Sequence, residues 1–177
     1  LFGVVWPSSM VLAHYISDYN TGTKRILEIG CGMALSSLLL NKQLANITAT
    51  DHHPEAGLFL QRNTQLNEGL PINYAQVGWA DAHDDLGLFD LIIGSDLLYE
   101  EQHVALLANF IEAHSNPTCE VILVDPGRGR KNKLSERMIE FGFNSLHQKP
   151  IHTDYLVKEF KGYILKFERR GPRRLDA

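Results

Sequence analysis

Hydrophobic positions along this chain follow two alternating spacings. Short, nearly continuous apolar runs such as ILEI (26–29) and EVILVD (120–125) are typical of strands that are covered on both faces. Between such runs, apolar residues recur every three or four positions, which is the spacing of one face of a helix. The regular succession of the two patterns predicts a parallel sheet with helices packed on both of its faces.

The same spacings predict the individual elements. Strands are expected over 24–29, 46–51, 72–77, a segment beginning at 89, and 120–125. Helices are expected over 11–19, 34–44, 54–66, 101–114 and 133–141. Two runs rich in β-branched and aromatic residues, 155–160 and 161–169, predict an antiparallel hairpin at one edge. The expected fold class is α/β: a Rossmann-like, doubly wound, mostly parallel seven-stranded sheet with an antiparallel edge hairpin and helices on both faces.

Length and composition restrict the class of protein further. A chain of 177 residues with 44% hydrophobic content is expected to form a single domain over 1–177, with an N-terminal helical segment over 1–22 and a flexible tail over 169–177. The formal charge of −4 gives no general attraction for nucleic acid or for an anionic membrane. A monomer is expected. No apolar run approaches the roughly 20 residues that cross a bilayer. The two cysteines, Cys31 and Cys119, predict free thiols and a cytoplasmic location.

Polar residues and glycines stand where the predicted strands end. In doubly wound sheets, ligands bind beyond the carboxyl ends of the strands, at the point where the strand order reverses. The residues to inspect are therefore those that close each strand: Glu28 with Gly30, Asp51, Gly78 with Trp79, Ser95 with Asp96, and Asp125.

The turn after the first strand reads EIGCGMAL (28–35) and can hold a ligand. Two glycines let the backbone approach a ligand closely, and the helix that follows offers its N-terminal N–H groups. The dinucleotide fingerprint needs a small residue at the position that Leu35 occupies, and the lysine and hydroxyl residue of a P-loop are missing. Both of these phosphate-binding motifs are therefore excluded.

Two carboxylates narrow the choice of ligand. Glu28, two residues before the turn, would repel a pyrophosphate but would pair with a positive group. Asp51, at the end of the second strand, is placed to accept hydrogen bonds from both hydroxyls of a ribose. A cationic ligand with a ribose and no phosphate satisfies both acids, and S-adenosylmethionine is such a ligand.

The segment EIGCGMA resembles the E/D-x-G-x-G-x-G motif of class I (seven-stranded) methyltransferases, with Ala34 in place of the third glycine. The resemblance covers nearly the whole chain. It implies the Rossmann-like fold described above, S-adenosylmethionine as cofactor and S-adenosylhomocysteine as product.

A narrower resemblance concerns three other segments. An early G-x-x-W at 3–6, Gly-Trp at 78–79 and D-L-L-Y at 96–99 are similar to the D-x-x-Y branch, which consists largely of protein-lysine methyltransferases (methyltransferase family 16-like). VDPGR (124–128) is similar to the members that methylate an electron-transfer flavoprotein subunit. The resemblance implies a protein-lysine N-methyltransferase with a protein substrate.

Three other functions stay open at this stage. A small-molecule methyltransferase or a non-catalytic, methyltransferase-like binding module could use the same fold. A nucleic-acid methyltransferase is disfavoured because SDLLY (95–99) replaces the Asn/Asp-Pro-Pro-Tyr motif that binds bases. The sequence DHH (51–53) matches a metal motif of phosphoesterases, but the further acidic and histidine clusters that such sites need are missing, so no metal is expected.

The resemblance assigns roles to individual residues. Asp96 and Tyr99 are expected to position the methyl acceptor, with Trp6, and Tyr155 or Phe160, framing the entrance. Arg128, Arg130, Lys131 and Lys133 are expected to form a solvated loop rather than a docking patch. The expected cofactor-binding residues are Glu28, Gly30, Cys31, Gly32, Asp51, His52, Trp79, Ser95 and Trp6.

Overall fold

The computed structural model describes residues 3–81 and 84–171. The five helices are α1 (Pro7–Ser17), α2 (Leu35–Lys42), α3 (Ala56–Leu66), α4 (Glu101–Ala113) and α5 (Lys131–Glu140). The seven strands are β1 (Arg25–Ile29), β2 (Asn46–Asp51), β3 (Asn73–Gln76), β4 (Phe89–Ser95), β5 (Ser115–Asp125), β6 (Asn144–Gln148) and β7 (Tyr163–Arg169). A 3₁₀ turn covers Asp84–Leu86. The expected fold class is confirmed.

The strands form one sheet in the order β3-β2-β1-β4-β5-β7-β6. Strands β1 to β5 run parallel to one another, and β7 is antiparallel to both of its neighbours, β5 and β6. The strand order reverses between β1 and β4, because the chain first moves outward to β2 and β3 and then returns to the other side of β1. This reversal opens a crevice above the carboxyl ends of β1 and β4.

Helices cover both faces of the sheet. On one face, α1 and α2 bury Leu12, Ile16 and Leu40 against the strands, and α3 packs beside them through Leu60. On the other face, α4 and α5 contribute Leu107 and other residues to the largest cluster of the core. The central strands are apolar along most of their length because both of their faces are buried. No helix in the described part of the chain combines the length and the hydrophobicity needed to cross a bilayer.

The predicted edge hairpin is wrong in one of its two strands. The partner of β7 is β6, and the segment 155–160 forms turns and bends instead of a strand. Tyr155 stacks on the ring of His14, with 3.6 Å between centroids, and Phe160 packs on the same side of the core. Their aromatic side chains therefore reflect packing against α1 and not strand formation.

The boundary of the predicted tail is also wrong. Arg169 is the last residue of β7 and is buried, with its Nη1 2.6 Å from Glu112 Oε2. The same guanidinium donates to the backbone oxygens of Pro117, Asn116 and Phe141. The rest of the predicted tail, from residue 172 onward, lies outside the described residues.

Candidate active site

The glycine turn after β1 has the conformation that its sequence predicts. Gly30 and Gly32 have φ angles of 60° and 53°, in the left-handed region that favours glycine. A Cβ on Gly30 would lie 2.6 Å from Cδ2 of Leu97, so the turn after β4 packs directly against this position. A Cβ on Gly32 would meet nothing within 4 Å. Gly30 therefore serves packing, whereas Gly32 faces open space.

Ala34 replaces the third glycine of the motif, and its backbone conformation departs further from what alanine prefers than its small side chain indicates. It is the N-cap of α2 and has φ 58°, a conformation that favours glycine. Its methyl group is fully buried beside Ala49 and Leu60. The alanine gains apolar packing at the expense of backbone strain.

Asp51, at the end of β2, holds the glycine turn in place. One carboxylate oxygen accepts the N–H of Gly32 at 2.8 Å, and the other accepts the N–H of His53 at 2.8 Å. The residue is buried except for a small part that lines a cavity. Each carboxylate oxygen retains a lone pair, so Asp51 can still accept hydrogen bonds from a ligand.

Glu28 is buried beneath the cavity wall and does not reach the space in which a ligand would bind. Its side chain is 4% exposed and is not among the residues that line the cavity. Its Oε2 accepts hydrogen bonds from the backbone N–H, at 2.9 Å, and the hydroxyl of Ser37 in α2. Burial raises the pKa of Glu28 to about 7, although the hydrogen bonds from Ser37 oppose this rise. The observed contacts tie β1 to α2.

A cavity of about 690 Å³ lies above the crevice between β1 and β4. It is bounded by the glycine turn, the end of β2, the segment after β3, the turn after β4 and the chain before α1. Trp6, Trp79 and Tyr99 contribute aromatic surface to its wall. The expected cofactor residues that line it are Trp6, Gly30, Cys31, Gly32, Asp51, His52, Trp79 and Ser95. The carboxylate, the open glycine and the aromatic surface suit an adenosyl ligand with a positive charge.

The residues that line the cavity differ in their burial and in their contacts. Cys31 is buried, burial raises the pKa of its thiol, and its backbone N–H donates to Thr50. His52 is largely exposed and places its ring 3.5 Å from Asp51. Trp79 meets the ring of His103 edge to face, with 5.6 Å between centroids. His103 was not predicted from the sequence, because a lone histidine in a helix gives no functional signal.

The two expected acceptor residues, Asp96 and Tyr99, follow β4 and line the same cavity. Asp96 is buried and has φ 53°, and its backbone N–H donates to Val124 at 2.8 Å. Tyr99 is half exposed, and burial of its inner part raises the pKa of its phenol. Tyr155 and Phe160 are not among the lining residues and pack instead against the core cluster that contains Leu12 and Ile16 of α1.

Arg128, expected in a solvated loop, lies inside the site. Its Nε and Nη2 donate to the two oxygens of Asp96 at 2.8 and 2.9 Å, and its guanidinium carbon lies 4.5 Å from the centroid of the Tyr99 ring. The sequence shows that Gly127 and Gly129 flank the arginine directly after β5, which indicates a tight turn but not the direction of the side chain; in the structure both glycines adopt positive φ. The other basic residues of the loop point elsewhere: Arg130 and Lys133 pair with Glu101, and Lys131 lies over Tyr163.

The described residues contain no group of three or more histidine, cysteine or acidic side chains that could hold a metal ion.

Solved structures with the same architecture include several methyltransferases. One of them is magnesium protoporphyrin IX methyltransferase from Synechocystis, which was crystallised with S-adenosylmethionine. It superposes with a TM-score of 0.70 at 18% sequence identity, and the match covers 92% of this chain and 78% of that protein. A ribosomal protein L11 methylase from Lactobacillus delbrueckii gives a TM-score of 0.72 at 19% identity, with coverage of 92% and 79%. These likenesses show that the chain has the fold of class I methyltransferases.

The family follows from the sequence comparison. A family model described as lysine methyltransferase matches residues 2–140, and the chain belongs to this family. Protein N-lysine methyltransferase METTL21A of Danio rerio is 28% identical over 170 residues, which are 88% of this chain and 77% of that protein. Protein-lysine methyltransferase METTL21E of Bos taurus is 31% identical over 147 residues, covering 76% of this chain and 51% of the relative. The chain thus spans about half the length of the bovine relative.

Proposed function

We propose that this chain transfers a methyl group from S-adenosylmethionine to the ε-amino group of lysine in a protein substrate. The observation that carries the proposal is the presence of two carboxylates in one cavity. Asp51 binds the glycine turn, and Asp96 binds an arginine that lies over the ring of Tyr99. The named activities of the METTL21A and METTL21E relatives support lysine as the acceptor.

The cofactor end of the cavity is assigned to the turn after β1 and the residues around it. We assign Asp51 to the ribose hydroxyls, because its carboxylate is fixed by two backbone N–H groups and keeps accepting capacity. Gly30, Cys31, Gly32 and Ser95 are assigned to the amino acid part, and Trp6, His52 and Trp79 to the nucleoside and its rim. Glu28 is assigned an indirect role, in which it anchors α2 under the turn.

The acceptor end is assigned to Asp96 and Tyr99. When bound, S-adenosylmethionine supplies an electrophilic methyl carbon, whose bond to sulfur breaks as the bond to the acceptor nitrogen forms. The task of the protein is then to align the amine and to exclude water. Asp96 can orient an amine through its oxygens, and the Tyr99 ring forms an apolar wall at the entrance.

We also propose a domain count, an oligomeric state, a cellular location and a class of substrate. We expect one domain, a monomer, a cytoplasmic location, and a protein substrate rather than a nucleic acid. The buried free thiols of Cys31 and Cys119 favour a reducing compartment.

Transfer of radioactive methyl groups into the proteins of a lysate tests the proposal. Purified protein is incubated with labelled S-adenosylmethionine and heat-inactivated lysate, the macromolecules are separated from metabolites, and the label is located by amino acid analysis. The proposal predicts methyl-lysine in the protein fraction. Label confined to metabolites would indicate a small-molecule methyltransferase, and binding of S-adenosylhomocysteine without any transfer would indicate a binding module.

Replacing Asp96 separates acceptor chemistry from cofactor binding. The Asp96→Asn variant is expected to lose about 10²-fold in turnover, because a misaligned acceptor reacts slowly, while its affinity for S-adenosylhomocysteine stays nearly unchanged. Turnover is measured with the label assay and affinity by calorimetry. Normal turnover in this variant would remove Asp96 from the acceptor site.

A further inference from the structure

The acceptor end of the cavity carries a positive charge that a lysine site would not be expected to contain. An ammonium ion is attracted by a carboxylate and by the face of an aromatic ring. Asp96 and Tyr99 offer both, yet Arg128 already occupies both: its guanidinium binds the two oxygens of Asp96 and lies over the Tyr99 ring. A substrate cation would therefore enter a place where another cation is held.

Several structural features hold Arg128 against Asp96. Asp96 is buried, so its charge needs a partner, and the paired Nε–Nη2 geometry is the strong form of the arginine–carboxylate contact. Gly127 and Gly129 have φ angles of 103° and 81°, which let the chain turn back so that Arg128 reaches the cavity. A guanidinium remains charged at every pH at which proteins are folded, so its effect does not depend on pH.

The protonation state of the acceptor gives this charge a function. Only the neutral amine has a lone pair that can attack a methyl carbon. A free carboxylate at the acceptor position would hold lysine as an ammonium ion, the unreactive form. A carboxylate paired with arginine keeps its oxygens as acceptors for amine N–H groups without giving the site a net negative charge.

We infer, on the basis of the proposed function, that Arg128 determines which form of lysine the site accepts: it is a permanent counter-ion for Asp96 that excludes the ammonium ion and admits the neutral amine. Arg128 thereby acts through Asp96 and is a positioning and specificity-determining residue for the transfer.

The other ionisable groups near the pair are the same in the wild type and in the variants. Those that line the same cavity are Cys31, Asp51, His52, His53, Tyr99 and His103. Arg130 and Lys133 each pair with Glu101 outside it. Asp125, at the end of β5, is a second buried carboxylate near Asp96 and Arg128. It accepts the backbone N–H groups of Gly127 and Arg128 and does not line the cavity.

The first experiment measures cation binding directly and needs neither cofactor nor methyl transfer. Butylammonium, a mimic of the lysine side chain, is titrated at neutral pH into the ¹⁵N-labelled wild-type protein and the Arg128→Gln and Arg128→Lys variants. The inference predicts that Arg128→Gln binds the cation about tenfold more tightly than wild type, with shifts at Tyr99, whereas Arg128→Lys behaves as wild type because it keeps the charge. Equal affinity in wild type and Arg128→Gln would overturn the inference.

The second experiment measures the pH dependence of methyl transfer, expressed as kcat with lysate proteins as acceptors, because kcat reports the pKa values of groups in the bound complex. The profile of Arg128→Gln is expected to move about one pH unit upward, because the site now holds the ammonium ion, and Arg128→Lys is expected to restore the wild-type position. Arg137→Gln, which makes the same substitution at an exposed ion pair of α5, is the matched control and should leave the profile in place.

The two experiments separate the possible failures. A purely structural role for Arg128 would lower the rate at every pH without moving the profile, and higher activity of Arg128→Gln at neutral pH would show that Arg128 blocks the acceptor; either result overturns the inference. If the wild-type protein methylates no lysine, the proposed function fails, and the butylammonium titration still tests the charge selection.

Discussion

At the scale of single residues, Asp51 carries the largest share of the cofactor assignment. Its carboxylate fixes the glycine turn through Gly32 and still faces the cavity. Because its two roles are linked, a useful test must separate lost binding from a distorted turn.

The Asp51→Asn variant is expected to bind S-adenosylhomocysteine about ten- to a hundredfold more weakly, since it loses charged hydrogen-bond acceptors. Asp90→Asn is the matched control, because Asp90 also accepts a backbone N–H, from Arg25 at 2.8 Å, but at the opposite end of the sheet. Calorimetry measures the affinities and urea denaturation the stabilities. Unchanged affinity in Asp51→Asn, or an equal loss in Asp90→Asn, would contradict the assignment to the ribose.

Glu28 makes the stability of the protein depend on pH. Burial raises its pKa from 4.5 to about 7 in the folded state, so the folded protein binds the proton more tightly than the unfolded chain. Stability from this group is present below the unfolded value and is lost as the pH rises through the folded value.

Replacement of Glu28 by glutamine removes this dependence. Between about pH 4.5 and 8, the wild type is expected to lose about 3 kcal/mol of unfolding free energy relative to Glu28→Gln. Urea denaturation of both proteins across this range provides the measurement. A difference that is constant with pH would place the Glu28 titration outside this range.

At the scale of the elements, the strands buried on both faces could be predicted and the edge could not. The strands β1, β4 and β5 are recognisable because each contains a short apolar run: ILEI (26–29), LII (91–93) and VILV (121–124). By contrast, β6 reads NSLHQ, with Leu146 exposed, so its sequence lacks the alternation of a half-buried strand. The aromatic residues of 155–160 favoured a strand, but contacts with α1 determine their conformation.

Hydrogen exchange tests this part of the fold. Amides of β7 lie between β5 and β6 and are expected to exchange slowly, whereas those of 151–161 are expected to exchange at least about a hundredfold faster, because strand hydrogen bonds protect and bends do not. Mass spectrometry of peptides from the exchanged protein resolves the two segments. Equal protection of both would restore the hairpin predicted from the sequence.

The active site shows the same limit of prediction from sequence. Residues that end strands, such as Asp51 and Asp96, are brought together by the topology, so their positions follow once the strands are known. The contact of Arg128 with Asp96 joins residues 32 positions apart through a loop, and the direction of a loop is not encoded in a periodic pattern. The depth of Glu28 depends on Ser37 in the next helix and was likewise not predictable.

At the scale of the whole molecule, the last strand is fastened to the rest of the fold by Arg169. Its guanidinium joins Glu112 of α4 to four backbone oxygens and lies 4.5 Å from the centroid of the Phe143 ring. The charge is buried, so its removal leaves several polar groups without compensation.

The Arg169→Ala variant is expected to lose about 3–5 kcal/mol of unfolding free energy. Arg170→Ala is the control at the next position, where the side chain is 82% exposed and pairs only with Glu168 among the described residues, and a change within about 0.5 kcal/mol is expected. Urea denaturation measures both variants. Equal losses at the two positions would show that Arg169 has no special role.

The site as a whole offers carboxylates and an open glycine turn to a nucleoside and has no phosphate-binding motif. Its selectivity for a sulfonium nucleoside over a phosphorylated one is the central claim of the function proposed for this protein. Calorimetric titration with S-adenosylmethionine and, separately, with NAD tests that claim most directly. Binding of S-adenosylmethionine with a Kd of about 10 μM or tighter, and no binding of NAD at a hundredfold higher concentration, is the predicted result. Binding of NAD in preference to S-adenosylmethionine, or of neither ligand, would contradict it.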